Sequence, residues 1–231
     1  MYQSVGSLKP YCDAILYAWH SGTEAGNAVA DILYGRVNPS GKIAMTFPRV
    51  TGQVPVYYNY LRAARPCNEY YGQGRSYRDI PAKPLYPFGY GLSYTDFEIW
   101  EMRSDKESLS LSQLKNGESF KISVNVRNVG ETDGKETVQL YIKDNVSSVV
   151  RPLRELKGYK KIFVKAGETV KVEFDIGFEE LSFYNFRLEK TVEQGEFSVY
   201  AGTDCTANNL MKTIYIIPDN SKEMVRTGSD K

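Results

Sequence analysis

Three stretches in the second half of the chain alternate apolar and polar residues with a period of two. In Phe120-Lys-Ile-Ser-Val-Asn-Val126, residues Phe120, Ile122, Val124 and Val126 fall on one side, and Lys121, Ser123 and Asn125 on the other. Val138, Leu140 and Ile142 alternate with Gln139, Tyr141 and Lys143, and Val170, Val172, Phe174 and Ile176 with Lys171, Glu173 and Asp175. Successive side chains of an extended chain point to opposite faces, so each stretch reads as a strand with one face on a core and one in water. Further strand candidates are Phe97 to Met102, Leu156 to Val164, Phe197 to Ala201 and Thr213 to Ile217. Turn signals such as Asn128-Val-Gly130, Ala166-Gly-Glu168 and Glu193-Gln-Gly195 separate them.

About seven short strands with no helical pattern between them predict a β-sandwich of the immunoglobulin or fibronectin type III kind. The first part of the chain has a different character. Asp13-Ala-Ile-Leu-Tyr-Ala-Trp19 is a short apolar run suited to a strand buried on both faces of a parallel sheet. Ser21-Gly-Thr-Glu24 has the spacing of a capping box, and Ala25, Ala28, Val29, Ile32 and Leu33 recur at helical spacing until Gly35, placed to act as C-cap. Strand and helix make half of a βαβ unit, too little for a doubly wound sheet. Asn38-Pro-Ser-Gly41 reads as a turn and Lys42 to Phe47 as one more short extended segment. From Pro48 to Pro84 there is no sustained period, and a loop of this length is usually functional or wrapped over a partner surface.

Between the two halves lies Pro84-Leu-Tyr-Pro-Phe-Gly-Tyr-Gly-Leu-Ser-Tyr-Thr95. Pro84 and Pro87 interrupt any backbone ladder, and Gly89 and Gly91 allow angles that other residues avoid, so this is an irregular strap held by its aromatic side chains. The predicted fold is therefore mainly β: a fibronectin type III or immunoglobulin-like sandwich over residues 97–217, preceded by a partial α/β segment over 1–50. Residues 51–96 form the long connecting loop and strap, and 218–231 a flexible polar tail.

The totals narrow the function. The chain has 231 residues, 42% hydrophobic and 25% charged, which suits one or two globular domains. With 29 basic and 28 acidic residues the net charge is +1, so no overall field attracts nucleic acid or anionic lipid. No apolar run reaches the roughly eighteen residues of a membrane-spanning helix, and the first residues lack the charged and apolar regions of a signal peptide. Cys12, Cys67 and Cys205 are far apart and His20 stands alone, which argues against a disulfide framework, a histidine-based metal site and a bound cofactor. His20, following Trp19, reads better as a loop or edge histidine than as a general base, because no nucleophile lies beside it in the sequence. No phosphate-binding loop, serine-hydrolase elbow or zinc-protease motif occurs.

Three side chains are candidates for supporting a pocket. Glu24 sits where open α/β sheets bind ligands, but it has a competing structural reading as the returning carboxylate of the capping box. Arg65 and Asp79 lie in the long loop, where they either line a polar pocket, pair with each other or cap turns.

Several motifs in order resemble glycoside hydrolase family 3, the β-glucosidase family. Ala14 to Gly35, Asn38-Pro-Ser-Gly-Lys42 and Thr46-Phe-Pro48 are similar to the end of that family's α/β-sandwich domain. Gly52-Gln-Val-Pro-Val-Tyr-Tyr-Asn59 and Ala64-Arg-Pro66 continue the likeness into the strap. Val138-Gln-Leu-Tyr141, Arg151-Pro152, Glu155-Leu-Lys-Gly158 and Gly167-Glu168 resemble its fibronectin-like domain. For a parent enzyme the resemblance implies retaining hydrolysis of β-linked glucosyl or related residues from the non-reducing end of an oligosaccharide or glycoside, with a periplasmic or secreted location. It also implies a nucleophilic aspartate in a (β/α)8 barrel and an acid/base glutamate, neither of which has a matching residue in this chain. No catalytic residue is therefore assigned here. Tyr86, Phe88, Tyr90 and Tyr94 become anchors of a domain interface, and the implied partners are a barrel-bearing segment or a second copy of this chain. A stand-alone carbohydrate-binding or protein-interaction module is the alternative.

Overall fold

The computed structural model describes residues 5–6, 9–61, 80–81, 83–206 and 210–219. Among the described residues, ten strands and three short α-helices follow one another: α1 (Ala25–Leu33), β1 (Phe97–Ser104), β2 (Ser108–Ser110), α2 (Leu111–Lys115), β3 (Phe120–Asn128) and β4 (Gly134–Asp144). Then come β5 (Glu155–Val164), β6 (Thr169–Ile176), α3 (Phe178–Leu181), β7 (Phe183–Tyr184), β8 (Lys190–Thr191), β9 (Gly195–Gly202) and β10 (Met211–Ile217). One sheet has the order β1-β3-β6 and the other β2-β10-β9-β4-β5, while β7 and β8 pair separately. All seven expected strands are present. Their apolar sets face one another between the sheets: Phe120, Ile122, Val124, Val126, Val172 and Ile176 from the first, and Val138, Leu140, Val199, Ile214 and Ile216 from the second, all buried. The chain is mainly β, a fibronectin type III-like sandwich.

The alternation did not announce the short helices between the strands. In α2, Ser110 accepts from the Gln113 amide at 3.3 Å while the Gln113 side chain accepts from the Ser110 amide at 2.8 Å, a complete capping box. Strand β1 carries a register shift between Trp100 and Arg103, where Glu101 takes a φ of +57°. One extra residue at that edge turns the strand and interrupts its flat ladder.

Two expectations for the first part of the chain are corrected. Residues 13–19 form no strand, and of this run only Tyr17 is even half-buried. A strand buried on both faces needs ladder partners and cover on each side, and no described strand precedes Phe97. The capping box at Ser21 and Glu24 is also absent. Helix α1 begins after Glu24, whose carboxylate instead accepts from Asn27 Nδ2 at 2.6 Å, and the Ser21 hydroxyl donates backwards to the Ala18 carbonyl at 2.5 Å. Gly22, at φ +70°, turns the chain between them. The far end follows the expectation more closely: Tyr34 is the C-cap, and Gly35 beyond it, at φ +71°, donates to the Ile32 carbonyl at 2.9 Å. No residue of α1 is buried. The expected flexible tail lies almost wholly outside the described residues; Asp219, inside them, accepts from the Ser112 amide at 2.9 Å.

Candidate functional site at the strap

The strap forms no regular element, yet its backbone is paired. Phe47 donates to the Tyr86 carbonyl and accepts from Leu85, while Ile43 donates to Tyr90 and accepts from Gly89, each at 2.9 Å. The extended segment expected over Lys42 to Phe47 is thus held along the strap, with a single antiparallel bridge between Phe47 and Tyr86. Tyr86 and Tyr90 stack at 5.1 Å, and Phe47 meets Tyr86 edge-on at 6.5 Å. Tyr94 reaches the other way, donating from its hydroxyl to the Ile32 carbonyl at the end of α1 at 2.8 Å.

Phe88 points into the outer face of the five-stranded sheet. It stacks on Tyr58 at 4.3 Å, and Tyr58 meets Tyr141 of β4 edge-on at 5.9 Å. Around them lie Tyr200, Cys205 and Leu156. The polar atoms brought into this small core are matched. Tyr141 donates from its hydroxyl to Gln139 Oε1 at 2.5 Å, and Gln139 Nε2 donates to the carbonyls of Gly89 at 3.0 Å and Thr203 at 2.7 Å. Arg154 donates to the Cys205 carbonyl at 2.9 Å and lies over the Tyr200 ring at 4.2 Å. Leu156 donates its amide to the Tyr58 hydroxyl at 3.2 Å. Burial is the first cause that raises Tyr141 and Tyr58 above the ordinary phenol range, and it pushes the Cys205 thiol up to about 12. These groups stay neutral at physiological pH, so the cluster has no thiolate or phenolate for nucleophilic work.

A second attachment is ionic. Lys42 pairs with Glu136 of β4 at 2.8 Å, both side chains being nearly enclosed, and also donates to the Gly91 carbonyl at 3.3 Å. A third runs through Asn38, whose Oδ1 accepts from the Ser93 hydroxyl and the Tyr94 amide, both at 2.8 Å, while its Nδ2 donates to Asp133 at 3.1 Å. A fourth pairs the Thr95 hydroxyl with buried Asn128 Oδ1 at 2.6 Å.

The strap aromatics therefore occupy two locations: Phe88 is set in the sheet face, and Tyr86, Tyr90 and Tyr94 lie towards the 38–47 segment and α1. Glu24 is exposed and bonded within its own helix, away from these contacts. Arg65 and Asp79 lie outside the described residues. The residues that sequence reasoning missed are Gln139, Tyr141, Arg154 and the Lys42–Glu136 pair. Val138-Gln-Leu-Tyr-Ile142 did carry a signal, since a tyrosine inside an otherwise apolar strand suits a face that is covered.

Fold and attachments define a class: a fibronectin-type sandwich to which an N-terminal segment is fastened by an aromatic seam on the outer sheet face and by an ion pair at Glu136 near the start of β4. Comparison with known proteins then gives the family. Residues 2–94 match the model described as glycosyl hydrolase family 3 C-terminal domain, and residues 136–205 the fibronectin type III-like domain. The chain belongs to glycoside hydrolase family 3, as a C-terminal portion of its β-glucosidase-like members. It is 43% identical over 197 residues to the periplasmic β-glucosidase of Salmonella typhimurium, a match covering 83% of this chain and 25% of that protein. It is 42% identical over 212 residues to a β-xylosidase of Formosa agariphila, covering 91% and 28% respectively. A crystal structure of β-glucosidase from Listeria innocua in complex with isofagomine superposes with a TM-score of 0.83 at 41% identity, covering 93% of this chain and 30% of that one. The chain thus spans about a quarter of the length of the curated relatives it matches.

Proposed function

We propose that these 231 residues are the structural C-terminal part of a retaining β-glycosidase acting on non-reducing-end β-glucosyl or related residues, without turnover of their own. The observation that carries this reading is the coverage: the match takes in most of this chain but only 25% of a β-glucosidase. Retaining hydrolysis needs two carboxyl groups about 5–5.5 Å apart, one of them a nucleophile. Of the enclosed carboxylates described here, Glu136 is paired with Lys42 at 2.8 Å, and Asp144 faces Arg151 at 3.5 Å in the loop after β4. The seam around Phe88 fits a role in fixing one part of the enzyme against another, with Tyr86, Phe88, Tyr90 and Tyr94 as its anchors. Glu24, Arg65 and Asp79 remain proposed supports of a pocket, and a periplasmic or secreted location follows the named relative. Incubation of the pure chain with aryl β-glucosides and β-xylosides is expected to show no release of the aryl group. Turnover that one carboxylate substitution abolishes would overturn the reading.

The natural partner in this reading is the barrel-bearing part of the enzyme. Support comes from the apolar groups that the first segment leaves in water: Ile15, Leu16, Trp19, Leu33, Tyr34 and Val37 are all more than a third exposed. Without that partner, the chain is expected to self-associate through residues 13–47. Light scattering should then show a mass above 26.2 kDa that falls on dilution. A monomer with this region well protected from hydrogen exchange would count against it.

A further inference from the structure

The loop joining β4 to β5, residues 145–154, closes over charges that do not balance. Asp144 ends β4 with its side chain 3% exposed, and Arg151 on the loop is 11% exposed. Arg151 Nη2 donates to Glu155 Oε2 at 2.6 Å, and the guanidinium lies over the Phe183 ring at 4.6 Å. Its other nitrogen, Nη1, stops 3.5 Å from Asp144 Oδ2, and neither atom has a hydrogen-bond partner among the described residues. The charges facing Asp144 come from each neighbouring element. The loop supplies Arg151, β5 supplies Glu155 with Lys157 3.7 Å beyond it, and the turn before β9 supplies Glu193. On β9 itself, Glu196 is occupied by Asn145 Nδ2 at 2.7 Å, and Glu193 by the amide of Ser148 at 2.8 Å and by its hydroxyl. Asp144 and Glu155 thus share the Arg151 guanidinium, with Lys157 beyond Glu155.

Burying a carboxylate with its cation held out of hydrogen-bond range favours the neutral form. Burial is the largest cause; Arg151 and a hydrogen bond from the Val146 backbone offset it in part, and Glu193 and Glu155 add smaller contributions in the same direction as burial, so the Asp144 carboxyl is pushed up to about 6. The same loop holds a second segment. Leu153 donates its amide to the Tyr60 carbonyl at 2.7 Å, and Pro152 forms an isolated bridge with Leu61.

We propose that loop 145–154 is an acid-favoured clasp, which takes up a proton at Asp144 as it closes and so holds segment 57–61 more firmly in mildly acidic than in neutral solution. The sign follows from linkage. An open loop returns Asp144 to water and to its ordinary value of 3.8, below that of the closed form. The closed-to-open ratio is therefore highest below that ordinary value, falls as pH rises towards about 6, and is level above it. The gap sets a ceiling of about a hundredfold on the change.

Hydrogen exchange at the Leu153 amide, corrected for the intrinsic pH dependence of exchange, tests this between pH 4.5 and 7.5. Protection is expected to fall by about ten- to a hundredfold across that range, while core amides such as Val124 do not follow. Asp144→Asn, neutral at every pH, is expected to keep the low-pH protection throughout. Protection in the unsubstituted chain that is flat, or lower at pH 4.5 than at pH 7, overturns the proposal, and so does a folded Asp144→Asn chain that retains the pH dependence. Should that variant not fold, the profile of the unsubstituted chain decides alone.

Discussion

Replacing Lys42 with methionine should destabilise the chain by about 3–5 kcal/mol, because it leaves the Glu136 carboxylate enclosed without its cation. The pair is 2.8 Å apart, with side chains 13% and 8% exposed, so water cannot readily take the place of the lost ammonium. A second group loses its partner too, since Lys42 donates to the Gly91 carbonyl on the strap. An ion pair at the surface would be worth at most about 1 kcal/mol, which makes the size of the effect the test of enclosure. Lys42→Met together with Glu136→Leu should recover most of the loss, since removing both charges removes the desolvation problem as well as the attraction. Urea unfolding monitored on both variants separates the outcomes. A single-variant loss under about 1 kcal/mol would mean that the segment around Lys42 lifts off the sheet and exposes the pair.

This pair also shows where sequence reasoning reached and where it stopped. The sandwich was legible because its strands repeat a local signal: Phe120, Ile122, Val124 and Val126 identify a buried face without knowledge of what lies opposite. What covers the outer face is a matter of contacts fifty or more residues apart, and no local period reports it. Gln139 and Tyr141 read as the wet side of β4, yet they are 3% and 0% exposed because the strap lies on them. The run from Asp13 to Trp19 failed in the opposite direction, since apolarity states a need for cover without supplying it. Two similar capping patterns had different outcomes for a local reason. Ser110 has the extended backbone that a cap requires (φ −82°, ψ 161°), whereas Gly22 turns the chain straight after Ser21 and the helix starts later. Of the pocket candidates, Glu24 is bonded to its own helix, and Arg65 and Asp79 fall outside the described residues. The strap was recognised as irregular and aromatic from composition alone, but its division between a sheet-facing Phe88 and a segment-facing Tyr86, Tyr90 and Tyr94 needed the fold.

The strap's attachment also makes one glycine sensitive beyond its backbone angle. Gly89 has a φ of +82°, and a methyl group there would stand 2.1 Å from Gln139 Oε1 and 2.8 Å from Cδ and Nε2. A free glutamine would swing aside, but this one is pinned by Gly89, Thr203 and Tyr141. Moving it leaves the Thr203 carbonyl and the buried Tyr141 hydroxyl without partners, at about 1–3 kcal/mol for each buried polar group, added to about 1–2 kcal/mol for an L-residue in left-handed backbone. Gly89→Ala is therefore expected to destabilise the chain by about 3–8 kcal/mol and to disturb the Tyr58–Phe88 stack, read as a changed near-ultraviolet circular dichroism signal. Gly35→Ala separates the two contributions, because Gly35 has φ +71° with nothing within 4 Å of the added methyl. It should show the backbone strain alone. If both substitutions cost the same, Gln139 is free to move and the strap rests on the sheet through its rings; if Gly89→Ala costs at least twice as much, the hydrogen-bonded glutamine is what fixes the strap in place.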